Sequence, residues 1–295
     1  MSIKNELPKT AIFGSNGYIG EYLLKRYKQV DSSNLGFSRY SLPSFDLVDA
    51  TSWESDLNVR YAIISAGITQ ISKCESEPVI TEFINVQQTY KLVEHLIKLE
   101  VIPIVFSSDY VFDGKEGCYT ELSNTKAVNE YGKQKKLLEE KILKDFSDKC
   151  IILRLSKVYG NEVKGSFLSE IIDLFKQNKT IKVAEDQIFC PIHLEDIFNA
   201  IAYIQKEKIT GLFNLCGPEA IARNVVAEII ADKFKFNKSL IHKISLKDLG
   251  ENFQRPFNTS MESIRLDLKK FSPLEDNIEK LLEDYERKKS VGRDH

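Results

Sequence analysis

The chain has 295 residues, 42% of them hydrophobic and 28% charged, and carries a formal net charge of -2. That composition describes an ordinary globule, long enough for one large or two unequal domains, and excludes a disordered or fibrous chain. A balance so near neutrality gives no global positive field towards nucleic acid or an anionic membrane, so neither is expected as a partner.

The five cysteines, Cys74, Cys118, Cys150, Cys190 and Cys216, are odd in number and widely spaced, with no CxxC and no histidine at ligand spacing. They predict free thiols in a reducing cytoplasm and no metal site. No long apolar run precedes the first strand, so neither a signal peptide nor a membrane anchor is expected.

Lys9 to Phe13 is a β-rich run that enters Gly14-Ser15-Asn16-Gly17-Tyr18-Ile19-Gly20 and then an amphipathic helix, Glu21 to Tyr27. Glycines at a strand-to-helix turn let the backbone approach a pyrophosphate, whose charge the free N–H groups at the helix start favour. The spacing is GxxGxxG, and its position after the first strand favours a dinucleotide site over a plain tight turn.

A second strand, Asn34 to Ser38, ends where an NAD enzyme places an acid on the adenosine ribose. Here Ser38 and Arg39 stand instead. A guanidinium grips a 2'-phosphate with a charge-assisted, bidentate contact, so NADP(H) is expected in preference to NAD(H).

Short strand and helix signals alternate over Ser44–Leu47, Ser52–Leu57 and Tyr61–Ser65, the last ending in Ala66-Gly67. A long helix follows from Pro78 to Glu100, with Phe83, Val86, Tyr90, Val93 and Ile97 near a 3.6-residue period. Such alternation predicts an α/β fold, a doubly wound parallel sheet with helices on both faces. Ligands bind such sheets at the carboxyl ends of the strands, where Gly14, Arg39, Asp46, Gly67 and Ser108 all fall.

The stretch from Val105 to Lys136 carries the chemistry. The apolar strand Ile102–Phe106 opens into Ser107, Ser108 and Asp109, and order resumes with Tyr131 and Lys135, one helical turn apart. An i, i+4 pair shares one helix face, so a phenol and an ammonium reach the same cleft. An unperturbed phenol, with a pKa near ~10, is a poor catalyst at neutral pH, and a neighbouring cation is expected to lower that value. These groups fit carbonyl reduction, with Tyr131 as proton donor, Lys135 tuning it and Ser108 polarising the carbonyl.

The later elements are a strand Cys150–Leu155, a helix Ser166–Asn178, a helix Leu194–Gln205, a strand Leu212–Cys216, a helix Asn224–Phe236 and a charged helix Leu274–Lys288. They predict a dinucleotide-binding region over 1–160, a smaller substrate lobe over 161–289 interleaved with late strands of the main sheet, and a frayed tail over 290–295. The charged last helix suits a homodimer surface or a solvent face equally. His193 reads as a strand-to-helix join, and Lys133 and Lys136 as solvated charges.

Taken together, the glycine turn, the strand ending in serine and the YxxxK helix resemble an extended short-chain dehydrogenase/reductase. More narrowly, SSDYVFDG, Tyr119-Thr120-Glu121, AVNEYGKQK, Asp186-Gln187 and RPFNTS resemble the dTDP-4-dehydrorhamnose reductase family over about residues 9–285. The resemblance implies a Rossmann domain with a small C-terminal α/β lobe and NAD(P)H-dependent reduction of the 4-keto group of a nucleoside-diphosphate sugar. It implies Ser108, Tyr131 and Lys135 as the catalytic residues. It places Gly14, Ser15, Asn16, Gly17, Tyr18, Ile19, Gly20, Ser38, Arg39, Asp46, Leu47, Ala66, Gly67, Tyr131 and Lys135 on the cofactor, with Asp46 and Leu47 at the adenine. Thr69, Ser108, Tyr110, Lys157 and Arg255 are expected to border the sugar nucleotide.

Two departures fall on the substrate side. Lys157 stands where the family carries a tryptophan, and Phe189-Cys190-Pro191-Ile192 where it carries GxPT, so the sugar is left open. Related dehydratases need an Asp-Glu pair after the catalytic serine, and here Asp109 is followed by Tyr110. A 4-epimerase and a non-catalytic regulatory subunit like the methionine adenosyltransferase beta subunit are the remaining alternatives.

Overall fold

The computed structural model describes residues 7–42, 44–50, 57–160 and 166–291, with side chains placed as far as residue 283. Apolar, β-branched runs between glycine and polar turns form the strands. Thr10–Phe13 (β1) passes through the glycine turn into Tyr18–Val30 (α1), followed by Leu35–Phe37 (β2) and Tyr61–Ile64 (β3). Ile71–Ser76 (α2), Pro78–Glu82 (α3) and Thr89–Lys98 (α4) come next, the last two joined by a π-helical turn over Phe83–Gln88. Ile102–Ser108 (β4), Glu130–Phe146 (α5) and Ile151–Leu155 (β5) complete the first half.

The second half runs through Val158–Tyr159 (β6), Phe167–Lys176 (α6), Ile181–Ala184 (β7), Ile188–Phe189 (β8) and Ile192–His193 (β9). Leu194–Glu207 (α7), Gly211–Leu215 (β10), Ile221–Ala222 (β11), Arg223–Phe234 (α8), Ile241–Ile244 (β12) and Leu274–Val291 (α9) follow.

Six strands form one sheet in the order β10-β5-β4-β3-β1-β2, and every neighbouring pair is parallel. This is the doubly wound α/β architecture that the alternation predicts. Ile12, Ile63, Ile104 and Leu153 pack on one face with Leu23, Tyr27, Ile197 and Phe198 of α1 and α7. Phe13, Ile64 and Val105 turn to the other face, against Leu92 and Leu96 of α4 and Leu138 and Ile142 of α5. Burial on both faces is why these strands read as continuous apolar runs. A separate core of Phe167, Ile171, Phe175, Val183, Phe189, Val226, Ile230 and Ile278 holds the smaller lobe.

Several boundaries differ from the sequence expectation. α1 starts at Tyr18, not Glu21, because Gly17 already serves as its N-cap. The long helix contains a π turn, which buries Asn85 and turns its amide onto the 68 loop, where Ile68 N–H donates to Oδ1 and Nδ2 donates to Ile68 O. Ser44–Leu47 makes no strand: Asp46 accepts from Val48 N–H and opens a 3-10 turn over Leu47–Asp49. Of the signal over Ser52–Leu57, residues 52–56 lie outside the described residues, as do 161–165 at the start of the expected substrate lobe. The expected frayed tail is helical to Val291, and 292–295 lie outside the described residues.

One buried ion pair ties the site's helix to the sheet. Arg154 in β5 donates Nε to Glu139 Oε1 at 3.0 Å and Nη2 to Oε2 at 2.8 Å, and both side chains are only 4% exposed. Glu139→Ala leaves a guanidinium buried without its partner and is expected to cost about 3–5 kcal/mol, whereas the paired change Glu139→Leu with Arg154→Met recovers most of it. Urea unfolding of the two variants is the measurement, and equal losses would contradict this account.

Candidate active site

β4 ends at Ser108, whose Oγ accepts from Tyr110 N–H at 3.2 Å and so caps a 3-10 turn over Asp109–Val111. α5 starts with Asn129 as its N-cap, accepting from Gly132 N–H at 2.9 Å, which puts Tyr131 in the first turn and Lys135 in the next. Lys135 Nζ donates to Phe106 O at 2.9 Å, a carbonyl of β4 two residues before Ser108. Its ammonium lies 5.9 Å from the centroid of the Tyr131 ring, and the Tyr110 ring meets Tyr131 edge-on at 6.1 Å. The three expected catalytic residues therefore converge.

Their electrostatics differ from the expectation in one respect. Burial pushes the Tyr131 phenol well above its ordinary pKa, and the Ser108 hydroxyl beside it opposes the rise. Burial also acts on the neighbouring ammonium of Lys135 and lowers its pKa to about 8. Tyr131 is thus held protonated, the state a proton donor needs.

These residues line a cleft of about 440 Å³ together with Gly17, Tyr18, Ile19, Gly20, Ala66, Gly67, Thr69, Tyr110, Lys157 and Arg255. The glycine turn is built by close packing. A Cβ at Gly14 falls 2.5 Å from Ala66 N, and one at Gly20 falls 2.2 Å from Gly14 O, whereas Gly17 meets nothing nearer than 3.4 Å. Gly17 caps α1 without a side-chain hydrogen bond, which leaves the amino end of the helix available to an anion. Ser107 Oγ is buried on the same cleft without a hydrogen-bond partner. A close backbone approach, an anion-ready helix end and an orphaned hydroxyl all fit a bound dinucleotide.

The remaining expected cofactor residues stand on the same crest but outside this cleft. Gly14 and Ser15 N–H groups both donate to Phe37 O, at 2.8 and 3.1 Å, which sets Ser38 and Arg39 beside the glycine turn with Asn16 exposed at its tip. Ser38 is buried and bonded to Tyr40 N–H and Ser41, while Arg39 is exposed. Asp46 is engaged in its own turn. Leu47 is only 5% exposed and packs with Phe13, Phe37 and Phe45, so it is a core residue.

On the substrate side, Arg255 donates to Tyr110 Oη at 3.3 Å and pairs with Glu251. Burial works against its charge, but Glu251 and Tyr110 outweigh that and raise its pKa. Lys157 opens to the water of the cleft, yet the protein around it and the cations Arg223 and Arg255 push its pKa down to about 8. A second cavity of about 450 Å³ adjoins through Arg255 and is lined by Lys247, Phe253, Gln254 and Phe257.

Sequence reasoning missed Arg223, Gln187 and Thr259 as cleft residues. Arg223 arrives through the antiparallel pairing of β11 with β8, a two-residue match that leaves no periodic signal. His193 does not line the cleft: its Nδ1 accepts from Glu195 N–H and caps α7, and burial lowers its pKa to about 4. All five cysteines are free thiols, and no helix among the described residues is long and apolar enough to cross a membrane.

Among known proteins, the chain is 29% identical to a dTDP-4-dehydrorhamnose reductase of Sinorhizobium fredii, with 88% of this chain and 90% of that protein covered. It is 26% identical to methionine adenosyltransferase 2 subunit beta of Xenopus laevis, covering 88% and 81% respectively. In fold it is similar to a crystal structure of dTDP-4-dehydrorhamnose reductase from Bacillus anthracis in complex with NADP, with a TM-score of 0.82 at 21% identity over 95% of this chain and 100% of that one. The RmlD substrate binding domain family matches residues 9–287, nearly the whole chain, and the protein belongs to that family.

Proposed function

We propose that the protein reduces the 4-keto group of a nucleoside-diphosphate deoxysugar of the dTDP type, with NADPH in preference to NADH. The observation that carries this reading is the convergence of Ser108, Tyr131 and Lys135 on one cleft with the glycine turn. The names of the reductase relatives and the NADP in the Bacillus anthracis structure support it.

A bound reduced nicotinamide supplies the hydride. Tyr131, kept protonated by burial, gives its phenolic proton to the ketone oxygen as negative charge develops there. Lys135, tethered to Phe106 O, is fixed along the same helix face and is the residue that would hold the cofactor ribose. Ser108 stands beside Tyr131 as the second polar contact for the reacting oxygen. The guanidiniums of Arg255 and Arg223 suit a diphosphate, and the neighbouring cavity with Phe253 and Phe257 offers aromatic faces to a nucleoside.

The deciding experiment is a screen of NADPH oxidation against dTDP- and UDP-linked 4-keto sugars. Turnover of at least one is expected. The methionine adenosyltransferase relative favours a regulatory binding subunit, and cofactor binding without turnover on the whole panel would select that reading.

Tyr131→Phe removes the donated proton and leaves the ring, so kcat is expected to fall about 10²–10⁴-fold with cofactor affinity little changed. Steady-state kinetics beside a cofactor titration separate the two effects, and an unchanged kcat would remove Tyr131 from the mechanism. Arg39 adjoins the glycine turn through Phe37 O and is free to meet a 2'-phosphate. Its change to alanine is expected to weaken NADPH by about 10–100-fold, the worth of a charge-assisted hydrogen bond, and to leave NADH unaffected. Calorimetric titration with both cofactors measures this, and equal losses for the two would refute the assignment.

A further inference from the structure

Ser108 has one hydroxyl proton, and two groups compete for it. Its Oγ donates to Asp109 Oδ1 at 3.1 Å while accepting from Tyr110 N–H. A proton committed to Asp109 is not available to a ketone oxygen, to which Ser108 then presents only a lone pair. A hydrogen bond in that direction points the wrong way for the role that reduction requires of Ser108.

Asp109 lies where three chain segments meet and is only 5% exposed. Its Oδ2 accepts from Thr259 Oγ1 at 2.6 Å, from the C-terminal half, and from Ser156 Oγ at 3.4 Å, just after β5. With Oδ2 taken by two donors, the oxygen open to a proton is Oδ1, the one facing Ser108. Among the described residues no cation pairs directly with this carboxyl. Burial pushes its pKa up to about 6, and the hydroxyls of Thr259, Ser108 and Ser156 together with the more distant charge of Lys157 keep it from rising further. The other titratable groups coupled to it are Tyr110 and Tyr131 on the cleft side and Cys190 and Cys216 behind it.

We propose that Asp109 is a positioning residue that works in its protonated form: a proton on Oδ1 donates to Ser108 Oγ, the hydrogen bond between them reverses, and the Ser108 proton is released to the substrate's carbonyl oxygen. Asp109 takes the Oδ1 proton from solvent when its carboxylate is protonated; after that no covalent bond breaks, nothing is oxidised, and only the direction of donation within the pair changes. The inference rests on the ketone-reduction reading above. Because the folded carboxyl has a raised pKa, the donor form is present below that value and is lost as pH rises through it.

The test compares the pH dependence of kcat in the wild-type protein and in Asp109→Asn, with NADPH and a nucleotide 4-keto sugar, and follows the carboxyl itself by isotope-edited infrared spectroscopy. The amide has nearly the shape of the acid and can donate to Ser108 at every pH. Wild-type kcat is expected to fall about tenfold per pH unit above the titration midpoint, while Asp109→Asn keeps activity near the acidic plateau and loses that limb. A carboxylate with a merely structural role gives a different result, with activity lost at every pH and the limb retained, and either finding overturns the inference. The infrared spectrum of the wild type should show a protonated-carboxyl band that titrates away near the same midpoint and is missing from Asp109→Asn. Absence of that band from about pH 5 to about pH 8 overturns the inference whatever the substrate. If the band titrates as expected but no keto sugar is reduced at any pH, the reductase reading falls instead, and the role of the released proton falls with it.

Discussion

α5 reaches the end of β4 only because residue 132 has no side chain. A Cβ at Gly132 lies 2.1 Å from Tyr110 O and 3.0 Å from Ala127 Cβ, so helix and turn touch backbone to backbone. Tyr131 precedes that contact, and the approach fixes how far its ring stands from Ser108 and Tyr110. The same helix is held twice more within two turns. Gln134 accepts from Asn85 Nδ2 at 2.8 Å and donates to Thr81 Oγ1 at 2.9 Å, and Glu139 holds Arg154 of β5. Asn85 also clasps the Ile68 backbone, so one buried amide relates α5 to the Ala66–Thr69 loop. The placement of Tyr131 and Lys135 is thus a property of the whole helix seat, not of the two residues alone.

Much of this was legible in the residues. Strands buried on both faces give continuous apolar runs and helices give a 3.6 period, so their alternation implies the parallel sheet and hence a crest that holds Gly14, Arg39, Asp46, Gly67 and Ser108; that Tyr131 and Lys135 meet Ser108 there shows only in the fold. What escaped is tertiary. Arg223, Gln187 and Thr259 enter the cleft through two-residue pairings and the single bridge between Ile188 and Asn258, which are too short to leave a pattern. The packing of Leu47 against Phe13 and Phe37 from other strands likewise shows only in the fold. The acidity of Tyr131 was argued from the charge of its sequence neighbour, whereas desolvation, which only the folded chain determines, dominates it.

The two halves of the cleft are bonded to each other rather than merely juxtaposed. Glu121 accepts from Asn214 N–H of β10 at 2.9 Å, and Asn214 Nδ2 donates to Tyr119 O and Glu262 O. Gly114 packs so closely on Pro256 that a Cβ there would fall 2.5 Å from the proline ring, and Asn258 N–H donates to Gly114 O at 2.9 Å. The segment carrying Arg255 and Thr259 is therefore stitched to the turn that follows Ser108. On the proposed reading, a substrate held by Arg255 would have its sugar at a fixed distance from Tyr131 and Ser108, as orientation of a ketone for hydride transfer demands.

Charge completes the connection between binding and chemistry. Burial lowers the pKa of Lys135, the surrounding protein with Arg223 and Arg255 lowers that of Lys157, and burial favours the neutral acid at Asp109. On the proposed reading, a diphosphate entering the cleft would add negative charge and raise the pKa of each group it approaches, since a nearby anion favours the protonated form of any group. The lysines would then keep their charge to higher pH, while Asp109 would move further towards the acid. Displacement of water from the cleft acts on Asp109 in the same direction, by deepening its burial. On the proposed reading, substrate binding itself turns Ser108 from acceptor to donor, so the polarising hydrogen bond is set when the ketone is in place.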